Sequence, residues 1–226
     1  MNTTKNYLML LLVTCLTFSL QSCDIDDDEN ARVSYPSAIV TLKTNAKDGT
    51  FYMQLDSTTT LLPTNMNTSP SGTKQVRALV NYKIEDDATK KEMQRVYVNW
   101  IDTIRTKPLD ANLGEKNDAT YGSYPLEILK DWTTVVEDGY FTMRFRTYFG
   151  GLAQHTISLV KTDEPYVLEL HQNPNGDKEG GVMRDGLIAF DLSSLPDTKG
   201  KTVDMTIKWK SFSGDKSTTF KYCTTK

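Results

Sequence analysis

Apolar and polar side chains alternate along most of the chain after residue 36. Ala38, Val40 and Leu42 share one side of an extended segment, with Thr41 and Lys43 on the other. Asn45-Ala46-Lys47-Asp48-Gly49 closes on an Asp-Gly pair. Phe51, Met53 and Leu55 then alternate with Tyr52, Gln54 and Asp56. Successive residues of a strand face opposite ways, so this period of two predicts a β-hairpin with one apolar face. Ser57 to Lys74, rich in Thr, Ser, Asn and Pro, reads as a strand end and a long loop, interrupted by Leu61-Leu62-Pro63. Val76, Ala78, Val80, Tyr82 and Ile84 mark a further strand, followed by a charged turn from Glu85 to Glu92. Val96, Val98 and Trp100 mark the next. Its phase then slips, because Ile101 and Ile104 cannot both continue that face, and the slip predicts a bulge. Pro108 to Gly122 reads as a polar loop, with a short strand near Thr120 to Tyr124, and Pro125 to Leu129 as a connector.

The alternation restarts after Pro125. Phe141, Met143, Phe145 and Thr147 alternate with Tyr140, Arg144 and Arg146, and Gly150-Gly151 predicts a tight turn into His155, Ile157 and Leu159. Tyr166 to His171 and Leu187 to Leu192 read as strands on either side of a glycine-rich excursion. Val203, Met205, Ile207 and Trp209 form another strand, Ser213-Gly214-Asp215 a turn, and Thr218, Phe220 and Tyr222 the last strand. No segment keeps helical periodicity over three turns, so the class is all-β. Four or five strands before Pro125 suit a small closed barrel, and six or seven after it suit an antiparallel sandwich. The expected division is 35–124 for the barrel and 125–226 for the sandwich. Each part carries its own apolar face and is expected to fold by itself.

The first thirty residues obey a different pattern. Lys5 precedes an apolar run from Tyr7 to Leu20, the length of a signal-peptide core. Leu20-Gln21-Ser22-Cys23 follows and resembles the lipobox of bacterial lipoproteins, which implies cleavage after residue 22, lipid on the Cys23 sulfur and acylation (palmitate) of the new amine. Several acyl chains together anchor a protein stably. Asp24, Asp26, Asp27, Asp28 and Glu29 come next. Such a run repels itself and stays solvated, so 23–34 reads as an anchor and tether. An acidic run directly after the lipidated cysteine resembles the surface-export signal of Bacteroidetes lipoproteins. The implied address is the outer membrane, facing the exterior, with the membrane itself a partner through the lipid.

Charge and cysteine content narrow the function. Without residues 1–22 the chain has 29 acidic and 25 basic residues, a net of −4. That balance argues against a nucleic-acid partner, whose phosphates call for positive charge. Cys15 leaves with the leader and Cys23 is lipidated, so Cys223 is alone and no internal disulfide forms. Its position predicts a buried or half-buried thiol at the end of the last strand.

Leu61-Leu62-Pro63-Thr64-Asn65, Tyr140-Phe141-Thr142-Met143-Arg144-Phe145-Arg146 and Phe190-Asp191-Leu192-Ser193-Ser194-Leu195, behind a lipoprotein signal, resemble the NigD-like proteins of Bacteroidetes. The resemblance spans the mature chain. It implies an N-terminal OB-type barrel and a C-terminal β-sandwich. The family takes its name from a bacteriocin gene cluster, and no catalytic residue carries over.

Candidate chemistry is sparse. The sequence lacks a nucleophile elbow and a phosphate-binding glycine loop, and nothing in it calls for a cofactor. His155 and His171, the only histidines, sit in strand patterns and read as hydrogen-bonded structural residues. Asn173-Pro174-Asn175-Gly176-Asp177-Lys178-Glu179 alternates oxygen side chains but does not fit calcium-loop spacing, so it reads as turn chemistry and no metal site is assigned. Tyr52 and Tyr97 lie on the polar sides of their strands, where a barrel of this type contacts ligands. Asp56-Ser57-Thr58 and Asp102-Thr103-Ile104 resemble the O-glycosylation motif of extracytoplasmic Bacteroidetes proteins, marking Ser57 and Thr103. The reading is a non-enzymatic surface lipoprotein that binds a protein or a glycan. The alternatives are a carbohydrate-active or other hydrolase with carboxylates in its loops, and a protective factor linked to a secreted bacteriocin.

Overall fold

The computed structural model describes residues 36–85, 92–177 and 180–224. The proposed anchor and export signal, Cys23, Asp24, Asp26, Asp27, Asp28 and Glu29, lie outside the described residues. Five strands, β1 (Ser37–Thr44), β2 (Phe51–Gln54), β3 (Thr60–Pro63), β4 (Val76–Ile84) and β5 (Met93–Thr103), close into a barrel in the order β1-β2-β3-β5-β4. β3 runs parallel to β5, and the other neighbours are antiparallel. Leu61 therefore belongs to a full strand rather than to the start of a loop, and it is buried with Val40, Leu42, Met53, Val80 and Val96. A five-stranded Greek-key barrel of this kind is the OB architecture.

The expected slip in β5 is a bulge. Asn81 pairs with Trp100 and Tyr82 with Val98, which leaves Asn99 as the extra residue. Val96 and Val98 point inward, and past the bulge the inward position passes to Ile101. Trp100 is thereby turned out and is 43% exposed, not buried as alternation alone suggests.

Barrel pairing stops where the Ile104 amide donates to the Arg77 carbonyl, and the next pairing belongs to the second sheet system. β6 (Thr106–Pro108) runs parallel to β12 (Val182–Asp191), and Asp110 bridges Val160. Residues 106–110 thus pair within the sandwich, whereas the sequence groups them with the barrel. Near residue 120 the chain forms a 3-10 turn, Gly114–Lys116, and a short helix α1 (Asn117–Tyr121), not a strand. Asn112 Oδ1 accepts from the Gly114 amide and Asn117 Oδ1 from the Leu113 amide, the local side-chain bonds that turn the backbone out of an extended path.

One sandwich sheet has the order β6-β12-β9-β7, where β7 is Glu127–Leu129 and β9 is Tyr140–Phe149. β8 (Val135–Glu137) pairs with β9 further along the same edge as β7. Asp138 and Gly139, both at positive φ, make the two-residue turn between β8 and β9. The other sheet has the order β10-β11-β13-β14: Thr156–Lys161, Val167–Asn173, Val203–Ser211 and Gly214–Tyr222. Gly150-Gly151 does not return the chain beside β9, because β10 pairs with β11 in the opposite sheet. Both sheets are antiparallel except for the β6–β12 and β11–β13 pairs. Phe141, Met143, Leu159, Leu168, Ile188, Phe190, Met205 and Ile207 fill the space between them. Cys223 lies just past β14 and is exposed, because the last inward position falls on Tyr222.

Barrel and sandwich meet at Ile39 and Ile104 against Ala189, flanked by Leu79 and Leu187. Beside this apolar contact lies a buried cation. Arg77 projects from the outer face of β4 and is fully buried. Its Nη1 donates to Thr41 Oγ1 at 3.0 Å, its Nε to Thr142 Oγ1 at 3.1 Å and its Nη2 to Glu137 Oε2 at 3.3 Å. Lys43 Nζ donates to Asp138 Oδ1 at 2.8 Å nearby. Burial lowers the Arg77 guanidinium from its ordinary value, with Glu137 opposing. Burial likewise raises Glu137, with Arg77 opposing. Desolvation thus outweighs pairing on both sides, the usual balance for an ion pair taken from water.

Candidate functional site

β11 and β13 pair side by side only over Val167–Leu170 and Thr206–Trp209. Beyond that they part, and the chain after α1 enters the gap. The Tyr124 amide donates to the Gln172 carbonyl at 3.0 Å, and the Leu126 amide to the Lys210 carbonyl at 3.1 Å. Gly122 makes this insertion possible. Its φ is +85°, and a Cβ there would lie 2.3 Å from the Gln172 carbonyl oxygen. Over the parting strands opens a cleft of about 460 Å³, whose wall includes Asp118, Glu169, His171, Lys208, Trp209 and Lys216.

His171 is the best-defined member. Its side chain is 10% exposed, and Nδ1 lies 2.9 Å from the Gly122 carbonyl oxygen. A carbonyl only accepts, so Nδ1 carries a proton toward it. Nε2 is buried without a protein hydrogen bond; its nearest carboxylate, Glu169 Oε2, is 3.7 Å away. Asp118 Oδ1 stands 3.4 Å from Nδ1. Trp209 Nε1, a donor only, is also buried without a partner. Lys216 is held by Glu127 at 3.0 Å, which leaves Lys208 and Lys210 as the outward-facing cations of β13.

The other histidine is tied up differently. His155 Nε2 lies 2.9 Å from Asp177 Oδ2, and Nδ1 lies 2.7 Å from Gln172 Nε2. Asp177 Oδ2 also accepts from the Gly150 amide at 2.8 Å. An Asp–His pair is the base half of a nucleophile triad, but here an amide occupies the place of the hydroxyl. Both side chains are 3% exposed. Their evident work is to fasten the turn after β11 to the end of β9. Asn173 Oδ1 in that turn accepts the Asn175 amide, so these oxygens serve the turn rather than converge on a cation. Lys178 and Glu179 lie outside the described residues. Among the described residues no group of three His, Cys, Asp or Glu side chains converges as a metal site.

The remaining sequence candidates are dispersed. Tyr52 is half-buried on β2, while Tyr97 on β5 is exposed, as is Trp100 beyond the bulge. Ser57 is exposed in a turn where Asp56 Oδ1 accepts from the Thr58 and Thr59 amides. Thr103 is exposed at the end of β5. Sequence reasoning missed the cleft because Asp118, Glu169 and Trp209 come from distant segments. Each alone looks like an ordinary polar or core position of its strand or turn.

Residues 39–104 match the NigD-like N-terminal OB domain, and residues 110–222 match the NigD-like C-terminal beta sandwich domain. The chain belongs to the NigD-like family. A solved structure from Parabacteroides distasonis, provisionally described as a toxin-related protein, is 33% identical with a TM-score of 0.71. That match covers 84% of this chain and 93% of the other. A NigD-like immunity protein from Bacteroides caccae shares the fold at 16% identity and a TM-score of 0.62, covering 85% of this chain and 99% of its own. A protein from Bacteroides fragilis, provisionally described as a lipoprotein, shares it at 14% identity and a TM-score of 0.56, covering 84% and 100%. No curated protein matches.

Proposed function

We propose that this NigD-like protein is a non-catalytic binding lipoprotein. Lipid on Cys23 holds it at the outer membrane, the acidic run after Cys23 directs it to face the exterior, and its β domains engage a protein or glycan partner. The observation that carries the reading is the cleft between β11 and β13, where His171 Nε2 is buried without a protein partner. Polar atoms of this kind are costly unless something meets them. Exposed Tyr97 and Trp100 on the barrel add amphipathic contact area of the type that interfaces favour. The hydrolase alternative finds less support, since the Asp177–His155 pair is sealed and the other ring nitrogen of His155 is hydrogen-bonded to the Gln172 amide.

The Bacteroides fragilis neighbour supports the anchor, and the leader supports the address. A protective role against a secreted toxin is a second reading of the same binding function. It is favoured by the 33% identity to a protein provisionally described as toxin-related and by the fold shared with an immunity protein. The test is capture from intact cells. Tagged protein, cross-linked in place and purified from the membrane, should retain a defined extracellular protein or glycan. Protease added to the same cells should degrade it. Recovery of the protein alone, or full protection from added protease, would count against the reading.

A further inference from the structure

We infer that the open flank of β12 is a strand-addition site for an extended, acidic polypeptide segment. The inference rests on the binding reading above and commits it to a protein partner.

For most of its length β12 has a neighbour on one side only. It pairs with β9 over all ten residues, but with β6 only from Ala189 to Asp191. The Ala189 amide donates toward β6, to the Arg105 carbonyl, and the Leu192 amide donates the other way, to the Gly139 carbonyl. Backbone groups alternate sides along a strand, so Met183 and Asp185 aim their amides and carbonyls away from β9, as Ala189 does. Among the described residues no strand lies beside them and no backbone group pairs with them there. Val182, Met183, Arg184 and Asp185 are all exposed. Donors and acceptors therefore repeat at strand spacing along a free border, a row that an extended polypeptide matches and a sugar ring does not.

At its β6 end this border opens into the gap between the two sandwich sheets. A cavity of about 90 Å³ there has Phe145, Ile157, Leu187 and Ile188 as its apolar wall, completed by Arg105 and Lys107. Gly186 brings Phe145 within reach: a Cβ at residue 186 would lie 2.6 Å from Phe145 Cζ, so the ring extends beneath β12. The volume equals about three water molecules, the size of one small branched aliphatic side chain. Alternate side chains of an added strand point to the core side, as Gly186 and Ile188 do, and one of them falls over this cavity.

Charge sets the composition of the segment. Arg105 and Arg184 are exposed and form no ion pair among the described residues, whereas the neighbouring carboxylates are taken, Asp185 by Arg144 and Arg146 and Asp110 by Lys107. Carboxylates on an incoming strand meet these two guanidinium groups. A second copy pairing β12 with β12 would set Asp185 against Asp185, or Arg184 against Arg184, in the two longest registers, and like charges directly opposite are destabilising. The flank thus suits a different chain.

Amide hydrogen exchange on the full-length lipoprotein in detergent tests this, with a displayed library of random decapeptides as the probe. Selected peptides should share one branched aliphatic residue, a surplus of Asp and Glu, and no proline. With such a peptide at ten times its Kd, exchange at Met183 and Asp185 should slow about tenfold, because it waits for the free fraction, while Arg184 and Gly186, already paired with β9, do not change. Met183→Pro deletes an outward donor without touching the β9 ladder, and proline is tolerated at a strand edge. It should leave the fold intact and weaken peptide binding about tenfold or more. Arg184→Glu should weaken it about threefold or more. The absence of any enriched peptide overturns the proposal, as do enriched peptides that leave Met183 and Asp185 exchanging freely, or binding that both variants leave unchanged. Exchange already slow before peptide is added also overturns it. The flank then belongs to a second copy if dilution restores exchange, or to this chain's own acidic run if replacing Asp26, Asp27 and Asp28 by alanine restores it. If partner capture from cells succeeds while the flank takes no peptide, the binding reading stands and this site falls. If the flank takes acidic peptides while capture recovers the protein alone, the site stands and that reading falls.

Discussion

Arg77→Met is the most informative single change, because it keeps the stem of the side chain and deletes only the guanidinium fork. The Thr41 and Thr142 hydroxyls are both fully buried and lose their donor. Each costs about 1–3 kcal/mol if left unpaired. Glu137 also loses its partner, but it is 34% exposed, and water takes over part of that loss. Removing one member of a buried pair typically costs about 3–5 kcal/mol, and the same range is expected here. For a domain of this size that is a fall of roughly 6–20 °C in Tm. Thermal unfolding followed by circular dichroism at pH 7, with urea midpoints alongside, measures it. Replacing the whole network, by adding Thr41→Val, Thr142→Val and Glu137→Gln, should recover much of the loss, because desolvation already dominates the pair. An Arg77→Met protein as stable as the parent would refute the reasoning. So would a fourfold variant no better than the single one.

Four further outcomes are expected. Cys23→Ala should move the protein from the carbonate-washed membrane fraction to the soluble one; retention in the membrane would end the lipid-anchor reading. Gly122→Ala should shift the His171 and Trp209 resonances and lower Tm, because its Cβ meets the Gln172 carbonyl; an unperturbed spectrum would contradict the close approach. The hydrogen bond from Arg146, helped by Arg144, holds the Asp185 carboxyl down at about 2 against an ordinary 3.8, so its stabilising effect is complete above 3.8 and fades as pH falls toward 2. Arg146→Gln should move the midpoint of its NMR titration back toward 3.8, and an unmoved midpoint would remove Arg146 as the cause. Protein from its native host should carry added hexose mass at exposed Ser57, and an intact mass equal to the lipidated polypeptide would dismiss that site.

Period-two alternation made the architecture legible because both domains bury one face of each strand. It identified the inward residues of β1, β2, β4, β9 and β13, and it located the β5 bulge from the broken phase at Ile101. It failed where pairing is long-range. β3 has two antiparallel contacts with β2, but its parallel contact with β5 crosses some thirty residues of sequence and leaves no local trace. The Gly150-Gly151 pair looks like a hairpin turn, yet the chain crosses to the other sheet. Arg77 is the plainest case. On β4 it occupies a polar position of an amphipathic strand, as an exposed residue would, and only the docking of the sandwich buries it. The cleft was illegible for the same reason: Asp118, His171 and Trp209 are brought together by tertiary pairing alone.

The barrel is closed, but the sandwich sheets end in open strands, and three of these borders are guarded. β14 carries Lys216 and Lys221 along its outer edge. β10 is capped midway by Asp110, whose amide donates to Leu159 and whose carbonyl accepts from Lys161. The free side of β9 is covered by two three-residue strands with Lys130–Thr134 looping out between them. An unbroken, uncharged border would invite the same border of a neighbouring copy to add to it. Lipid-anchored molecules share a plane and meet at high local concentration, so that hazard is greater than for a protein free in solution. In the lipid-anchored state proposed for this protein, lysines, a crossing segment and an interrupted border would let many copies crowd one membrane without knitting into a continuous sheet.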